Sequence, residues 1–318
     1  MKQLQKQIVF NVGGALSTYI EFDNKKLLVD IGANSDFNPI KNFLLPLYQK
    51  RDDRKCYIKG HTNKYHIDQL IISHPHKDHL SAIEDFDEYF YPELLTTPND
   101  NPNMEKYGGK INWKLIGNET ESYMVKFRKM LEGRQPPLRA TSDQNEFIFF
   151  LNPKDVENDT LLSTTEKYPN NISIVVFLII NNHRVFLPGD IQKEGMKKII
   201  NDNHFLLNKL KGGVDVLIAP HHGLRSSFST YLFEKMKNGK TRCINIISEK
   251  ANNPDDNRNV DTRYSEYCIG ENNLYGTNSY DRYSVKTSNG HIVINYEKAN
   301  TPTFHIHRNI EETFEYFI

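Results

Sequence analysis

Residues 67–80 read IDQLIISHPHKDHL, an apolar run that ends in three histidines and an aspartate within six positions. The run 67–74 is too apolar to alternate, so it reads as a strand buried on both faces. Beyond it, Leu80, Ile83, Phe86 and Phe90 recur at helical spacing, and Asp78 stands where a carboxylate favours a helix N-terminus. A strand therefore delivers a turn loaded with ligating side chains to the start of a helix. His74 and His76, two apart in an extended loop, face the same way and can share one ion. Asp78 and His79 can serve a second ion from the far side of the turn. Neutral imidazole and carboxylate suit zinc or manganese, and leave a position open for water. The pattern HxHxDH arises by chance in roughly one chain in a thousand, so it carries weight by itself.

Working outward, IVFNV (8–12), STYIEF (17–22) and KLLVDIG (26–32) are strand signals, the latter two reading as a hairpin that turns at Asp23-Asn24. Strands return at EFIFFL (146–151), ISIVVFLII (172–180) and HRVFLPGD (183–190), the last two joined through the turn Asn181-Asn182. A helix over 191–201, a strand DVLIAP (215–220), a helix over 226–237 and a strand CINIIS (243–248) follow. The stretch YSVKTSNGHIVINYE (283–297) reads as a closing hairpin turning at Ser288-Asn289-Gly290. Strands, interposed helices and strands again predict two sheets packed between helices in a single domain, 1–318. Residues 84–145 read as an irregular and helical elaboration, least regular over the proline-bearing 92–140, with a helix over 118–133.

Composition narrows the field. Lys plus Arg equals Asp plus Glu at 40 each, which removes any whole-chain electrostatic argument for a nucleic-acid coat or a membrane surface. The longest apolar stretch, 172–180, has strand length rather than the ~20 residues of a membrane span. The N-terminus carries no apolar core of signal-peptide length. Cys56, Cys243 and Cys268 are far apart and form no CxxC pair, which argues against a disulfide framework or thiolate zinc site and fits a reducing cytoplasm.

The stretches FNVGGALSTYIEF, KLLVDIGAN, SHPHKDHL, NISIVVFLI, RVFLPGDI and DVLIAPHHGLRSS, in that order over residues 8–230, make the chain resemble the metallo-β-lactamase superfamily. It looks most similar to the metallo-hydrolase domain of ComEC-type DNA-uptake channels and to free-standing relatives of that domain. The resemblance implies a four-layer αββα sandwich with two mixed β-sheets and a site for one or two divalent ions at one edge. Carried over position by position, His74 and His76 would hold the first ion, Asp78 and His79 the second, and Asp190 would bridge them, offsetting their repulsion. Of the pair in PHHG, His221 is preferred as the remaining ligand of the second ion. Its neighbour His222 is then left to face substrate as a proton donor, with the exchange of these two roles left open. Asp30 would orient a ligand loop from behind. Asn171 and Ser173 match the family's Asn-x-Ser pattern and would support the site. Ser226 and Ser227 would cap the following helix, with backbone N–H groups available to a phosphate. The chain departs from the family at one place. Many members carry a further first-ion histidine before the bridging aspartate, whereas here only His183 intervenes, beside a hairpin turn, and Asn152 stands where relatives often show histidine.

Paired cations would lower the pKa of water toward ~7 and so make hydroxide at neutral pH, with Asp78 and His222 as the expected catalytic side chains. The fold alone does not name a substrate. Between Lys106 and Arg139 there are eight Lys or Arg against three Glu, interleaved with Tyr107, Trp113, Tyr123 and Phe127. Lys106, Lys110, Lys114, Lys126, Arg128 and Lys129 are thus candidate contacts to a single-stranded nucleic acid. Together with the ComEC-type resemblance, this favours a cytoplasmic, metal-dependent nuclease acting on DNA, single-stranded or at ends; a protein partner from the same operon is a separate expectation. The alternatives are a phosphodiesterase of small substrates such as cyclic nucleotides, and a recognition module that keeps the fold without turnover.

Overall fold

A computed structural model of the chain describes residues 4–99, 111–132, 145–164, 167–236, 243–249, 259–268, 284–298 and 302–318. Its strands are β1 (Lys6–Val9), β2 (Ser17–Phe22), β3 (Lys25–Ile31), β4 (Tyr65–Ile71), β5 (Phe90–Thr96), β6 (Glu146–Phe149), β7 (Val175–Ile180), β8 (His183–Leu187), β9 (Val216–Ile218), β10 (Ile244–Ile247), β11 (Val285–Lys286), β12 (His291–Asn295) and β13 (Thr303–His307). They form a seven-stranded sheet, ordered β13-β12-β1-β2-β3-β4-β5, and a six-stranded sheet, ordered β11-β10-β9-β8-β7-β6. Both sheets are mixed: β3, β4 and β5 run parallel, as do β8, β9, β10 and β11, while the remaining pairs are antiparallel.

Alternation along the strands explains the layers. In β7, Val176, Leu178 and Ile180 face the inter-sheet layer, where they join Ile20, Leu27, Val29, Ile218 and Ile246. The intervening Val175 and Phe177 face the other way, into a cluster with Met196, Ile199, Ile200, Leu206 and Leu210 from the helices Lys193–Asp202 and His204–Lys211. On the first sheet, Tyr19 and Leu28 likewise meet Phe43, Leu44, Leu47 and Tyr48. Each sheet is thus apolar on both faces, which is why these strands read as continuous apolar runs. The result is the αββα sandwich.

Both tight hairpins take the geometry their turn residues favour: Asp23 and Asn24, then Asn181 and Asn182, all have left-handed backbones (φ between 46° and 70°). Two expectations fail. The segment 283–297 is not a hairpin. β11 joins β10 in the six-stranded sheet, while β12 crosses to pair with β1 and β13 in the other, so the turn at 287–289 steps between sheets. Nor is the stretch from residue 90 without a strand: after the expected helix, seen as Ile83–Tyr89, Phe90–Thr96 is the edge strand β5, parallel to β4, and Phe90 opens it rather than closing the helix. Periodicity over ten residues carries no information about which sheet supplies a strand's partner. The expected helix over 118–133 is observed as Ser122–Glu132, with Gly133 outside the described residues.

Candidate metal centre

Four stretches meet where strands of both sheets end. They are the end of β3 (Asp30), the loop and short helix after β4 (73–80), the turn after β8 (Asp190) and the turn after β9 (220–223). Backbone bonds lock the strands together there: Ile174 N donates to Ser73 O at 2.8 Å, joining the two sheets. Leu16 N donates to Asp78 O at 3.0 Å, and His221 N to Gly189 O at 3.2 Å. Two glycines permit the close approach. A Cβ at Gly32 would lie 2.0 Å from Asp78 O, and one at Gly189 (φ +59°) would lie 2.9 Å from the Ser73 Cβ.

The histidines are oriented from behind. Asp30, fully buried, accepts from Ser73 N (2.7 Å), Ser73 Oγ (2.8 Å) and His79 Nδ1 (2.8 Å). Because a carboxylate only accepts, the Nδ1 of His79 carries hydrogen and its Nε2 is left to face forward. Ser73 Oγ lies 3.2 Å from His74 Nδ1, which sets His74 the same way. Ser73 escapes sequence reasoning; only its place next to His74 hints at it. Ser173 Oγ accepts from Asp190 N at 3.1 Å, and Asn171 Oδ1 accepts from Gln192 N at 3.1 Å, so this pair fixes the turn that presents Asp190.

Facing forward, Asp78, His79, Asp190 and His222 offer ligand atoms that all lie within 4.8 Å of one another. His79 Nε2 is 3.3 Å from Asp190 Oδ1, and His222 Nε2 is 3.2 Å from Asp78 Oδ2 and 3.7 Å from Asp190 Oδ2. His74 Nε2 is 3.0 Å from His76 Nδ1 and 3.8 Å from Asp190 Oδ2. Of the doublet, His222, expected to face substrate, is the member grouped with Asp78 and His79, while His221, the preferred ligand, lies outside that group. Neighbours in a sequence share the same local signal, and only the path of the turn separates them.

A divalent cation fits this donor set. His79 Nε2 and Asp190 Oδ1 are buried, face each other and have no hydrogen-bond partner, the arrangement of two lone-pair donors aimed at a common cation. The electrostatics agree. Burial opposes protonation of His79, but Asp190, Asp30 and Asp78 outweigh it and hold the imidazole protonated well above its usual range. His222 is likewise raised, against burial, by Asp190 and Asp78. Burial, then the nearby His79 charge, pushes His74 well below the usual range, and burial lowers His76 and His221. Asp78 and Asp190 stay ionised, since the facing histidines overcome the cost of burial. Protons on His79 and His222 hold the place that cationic charge would take.

The remaining candidates lie elsewhere. Asn152 Oδ1 accepts from Lys154 N at 2.9 Å and caps the helix Pro153–Asn158. His183 Nε2 donates to Lys298 O at 2.6 Å. Ser226 Oγ lies 3.2 Å from His221 Nδ1, and Ser227 is buried; the residue that caps the next helix, Thr230–Lys235, is Ser229, whose Oγ accepts from Leu232 N. Lys106 and Lys110 lie outside the described residues. Lys126 pairs with Asp87 at 2.8 Å and Arg128 with Glu119 at 3.1 Å, while Lys114 and Lys129 are exposed. Tyr123 and Phe127 are buried in the core, so those two rings turn inward. No helix among the described residues is long and apolar enough to cross a membrane.

Solved structures similar to this chain include a putative metallo-beta-lactamase from Thermotoga maritima, 16% identical, covering 68% of this chain and 95% of that one at a TM-score of 0.37. Another is the metallo-beta-lactamase fold protein YhfI from Bacillus subtilis, 14% identical, covering 80% and 90% at 0.35. The short form of human tRNase Z is 13% identical, covering 67% and 77% at 0.28. No curated protein matches the chain. The family model of the metallo-beta-lactamase superfamily matches residues 10–240, a span that holds every residue of the centre described above. The chain belongs to the metallo-β-lactamase superfamily.

Proposed function

We propose that the protein is a divalent-metal-dependent hydrolase of phosphodiester bonds that acts on DNA, single-stranded or at ends. The observation that carries the reading is the convergence of Asp78, His79, Asp190 and His222 within 4.8 Å, beside the His74–His76 pair. Two zinc or manganese ions at such a centre would supply Lewis acidity, acidifying water and neutralising charge on both sides of an in-line displacement at phosphorus. Asp190 presents one oxygen to His79 and the other to His74, the placement a carboxylate shared between two cations requires. Asp30 and Ser73 hold the imidazoles so that their bare nitrogens face the reacting centre. With His222 Nε2 directed at Asp78 and Asp190, solvent rather than His222 is left to protonate the leaving oxygen.

A second reading, hydrolysis of small cyclic diesters, is favoured by one observation. Lys126 and Arg128 are paired with acids, and Tyr123 and Phe127 are buried, so this stretch offers less grip on a long strand than its sequence promises. The test is hydrolysis of single-stranded DNA, duplex DNA, RNA and cyclic nucleotides side by side, with manganese or zinc and an Asp78→Ala control. Cleavage of DNA that falls steeply as salt rises supports the nuclease reading. Turnover of a cyclic nucleotide undiminished by excess DNA supports the second, and equal rates for Asp78→Ala and the parent reject both.

A further inference from the structure

The adjacent histidines of PHHG both face Asp190 but differ in their other partner, Ser226 for His221 and Asp78 for His222. All twelve histidines of the chain lie among the described residues. Five of them, His74, His76, His79, His221 and His222, gather around Asp190. The others are engaged or placed elsewhere: His61 against Tyr91, His66 with Glu93, His183 on Lys298 O, His291 accepting from Asn11 N, His307 with Glu312, His305 against Tyr316, and His204 exposed at the start of its helix. His79 and His222 belong to the four-residue group. His74 and His76 are left with a share of Asp190, one ligand fewer than the four-residue group has.

His221 is built to make up that set. Its Nε2 lies 3.9 Å from Asp190 Oδ2, the oxygen that also faces His74 at 3.8 Å and His222 at 3.7 Å, but unlike His222 it stands outside the group of Asp78, His79 and Asp190. Its Nδ1 is 3.2 Å from Ser226 Oγ, which anchors the ring by that nitrogen and leaves Nε2 to face Asp190. Two consecutive left-handed backbones, φ/ψ 50°/50° at His221 and 55°/25° at His222, turn neighbouring side chains away from each other, with ring centroids 6.1 Å apart. Such a conformation is costly outside glycine, about 1–2 kcal/mol per residue, and persists where the surroundings impose it.

We infer that the doublet is divided between two cation sites: His222 completes the site of Asp78, His79 and Asp190, and His221 completes a second site with His74, His76 and a share of Asp190. This rests on the metal-dependent reading above and adds to it which ion each histidine holds. His221 thereby takes the place of the histidine that the segment between His79 and Asp190 lacks.

The test is metal stoichiometry and affinity, measured by elemental analysis and by chelator competition with cobalt(II), whose absorption reports each site without any substrate. The parent binds two ions. His221→Ala keeps one and weakens the other about tenfold or more. The double variant His74→Ala/His221→Ala still keeps one ion at the parent's affinity, because both residues serve the same site, whereas His74→Ala/His222→Ala weakens both. The inference is overturned if His221→Ala binds two ions as tightly as the parent, if the parent binds only one, or if His221→Ala/His222→Ala keeps an ion that His74→Ala/His221→Ala loses. A parent that binds no divalent ion overturns the metal-dependent reading itself. Circular dichroism checks that each variant folds. If His221→Ala does not fold, His221→Asn, which tolerates the left-handed backbone, takes its place under the same criteria.

Discussion

Replacing Asp30 by asparagine separates the charge behind the centre from its shape. Asp30 has a left-handed backbone, φ 57°, which asparagine accepts and alanine does not, so the variant adds little strain of its own. Its Oδ1 still accepts from Ser73 N. The other arm becomes an amide that donates where the carboxylate accepted, so His79 Nδ1 turns into an acceptor. The imidazole proton moves to Nε2, the nitrogen that faces Asp190 at 3.3 Å. A cation must then displace that proton and work without the carboxylate behind the ring. Loss of such a partner costs about 10- to 100-fold in metal affinity, or about 1.4–2.8 kcal/mol. In the ion-free protein the protonated His79 also loses a buried counter-charge at 2.8 Å, a loss of about 3 kcal/mol in unfolding free energy. Chelator competition measures the first number and urea denaturation in the presence of a chelator the second. If Asp30→Asn bound zinc within about twofold of the parent and unfolded at the same urea concentration, the orienting role of Asp30 would be wrong.

Three further outcomes are expected. Gly32→Ala places a Cβ 2.0 Å from Asp78 O and 2.7 Å from Leu16 O, so the motif turn must move; overpacking of this kind costs about 1–3 kcal/mol and should appear as a lower melting temperature together with weaker metal binding. Ser173→Ala removes the acceptor of Asp190 N and should lower stability by about 1–3 kcal/mol in a denaturant titration, with an unchanged midpoint counting against the bond. Metal uptake should be proton-coupled. His79 and His222 are held protonated above their usual range in the ion-free protein, while Asp78 and Asp190 are already ionised, so binding expels protons and affinity rises with pH. The same raised value means that His79's contribution to the stability of the ion-free protein is complete below the unfolded pKa of about 6.5 and is lost as pH rises through the folded one. Calorimetry in two buffers of different ionisation enthalpy reads the proton release directly, and a buffer-independent heat would contradict it.

What could be read from residues alone is local chemistry and local pattern. HxHxDH crowds four ligating side chains into six positions, and no tertiary information is needed to see a cation site there. The apolar runs 67–72 and 172–180, buried on both faces, point to sheets covered on each side, and the paired Asn and Asp turns announce their hairpins. Three things required the folded chain. Val285 and His291 are six residues apart yet belong to different sheets, because the strand of Val285 pairs with Ile246–Ile247 and that of His291 with the N-terminal β1, neither of them a neighbour in sequence. Tyr123 and Phe127 look available for stacking in sequence, but the helix that carries them turns that face to the core. His221 and His222 are alike in every local respect, and what separates them is the path of one turn past Asp190. Ligand type is a property of the side chain, whereas ligand identity depends on ångström-scale convergence of distant segments, which is specified by packing rather than by any stretch of sequence.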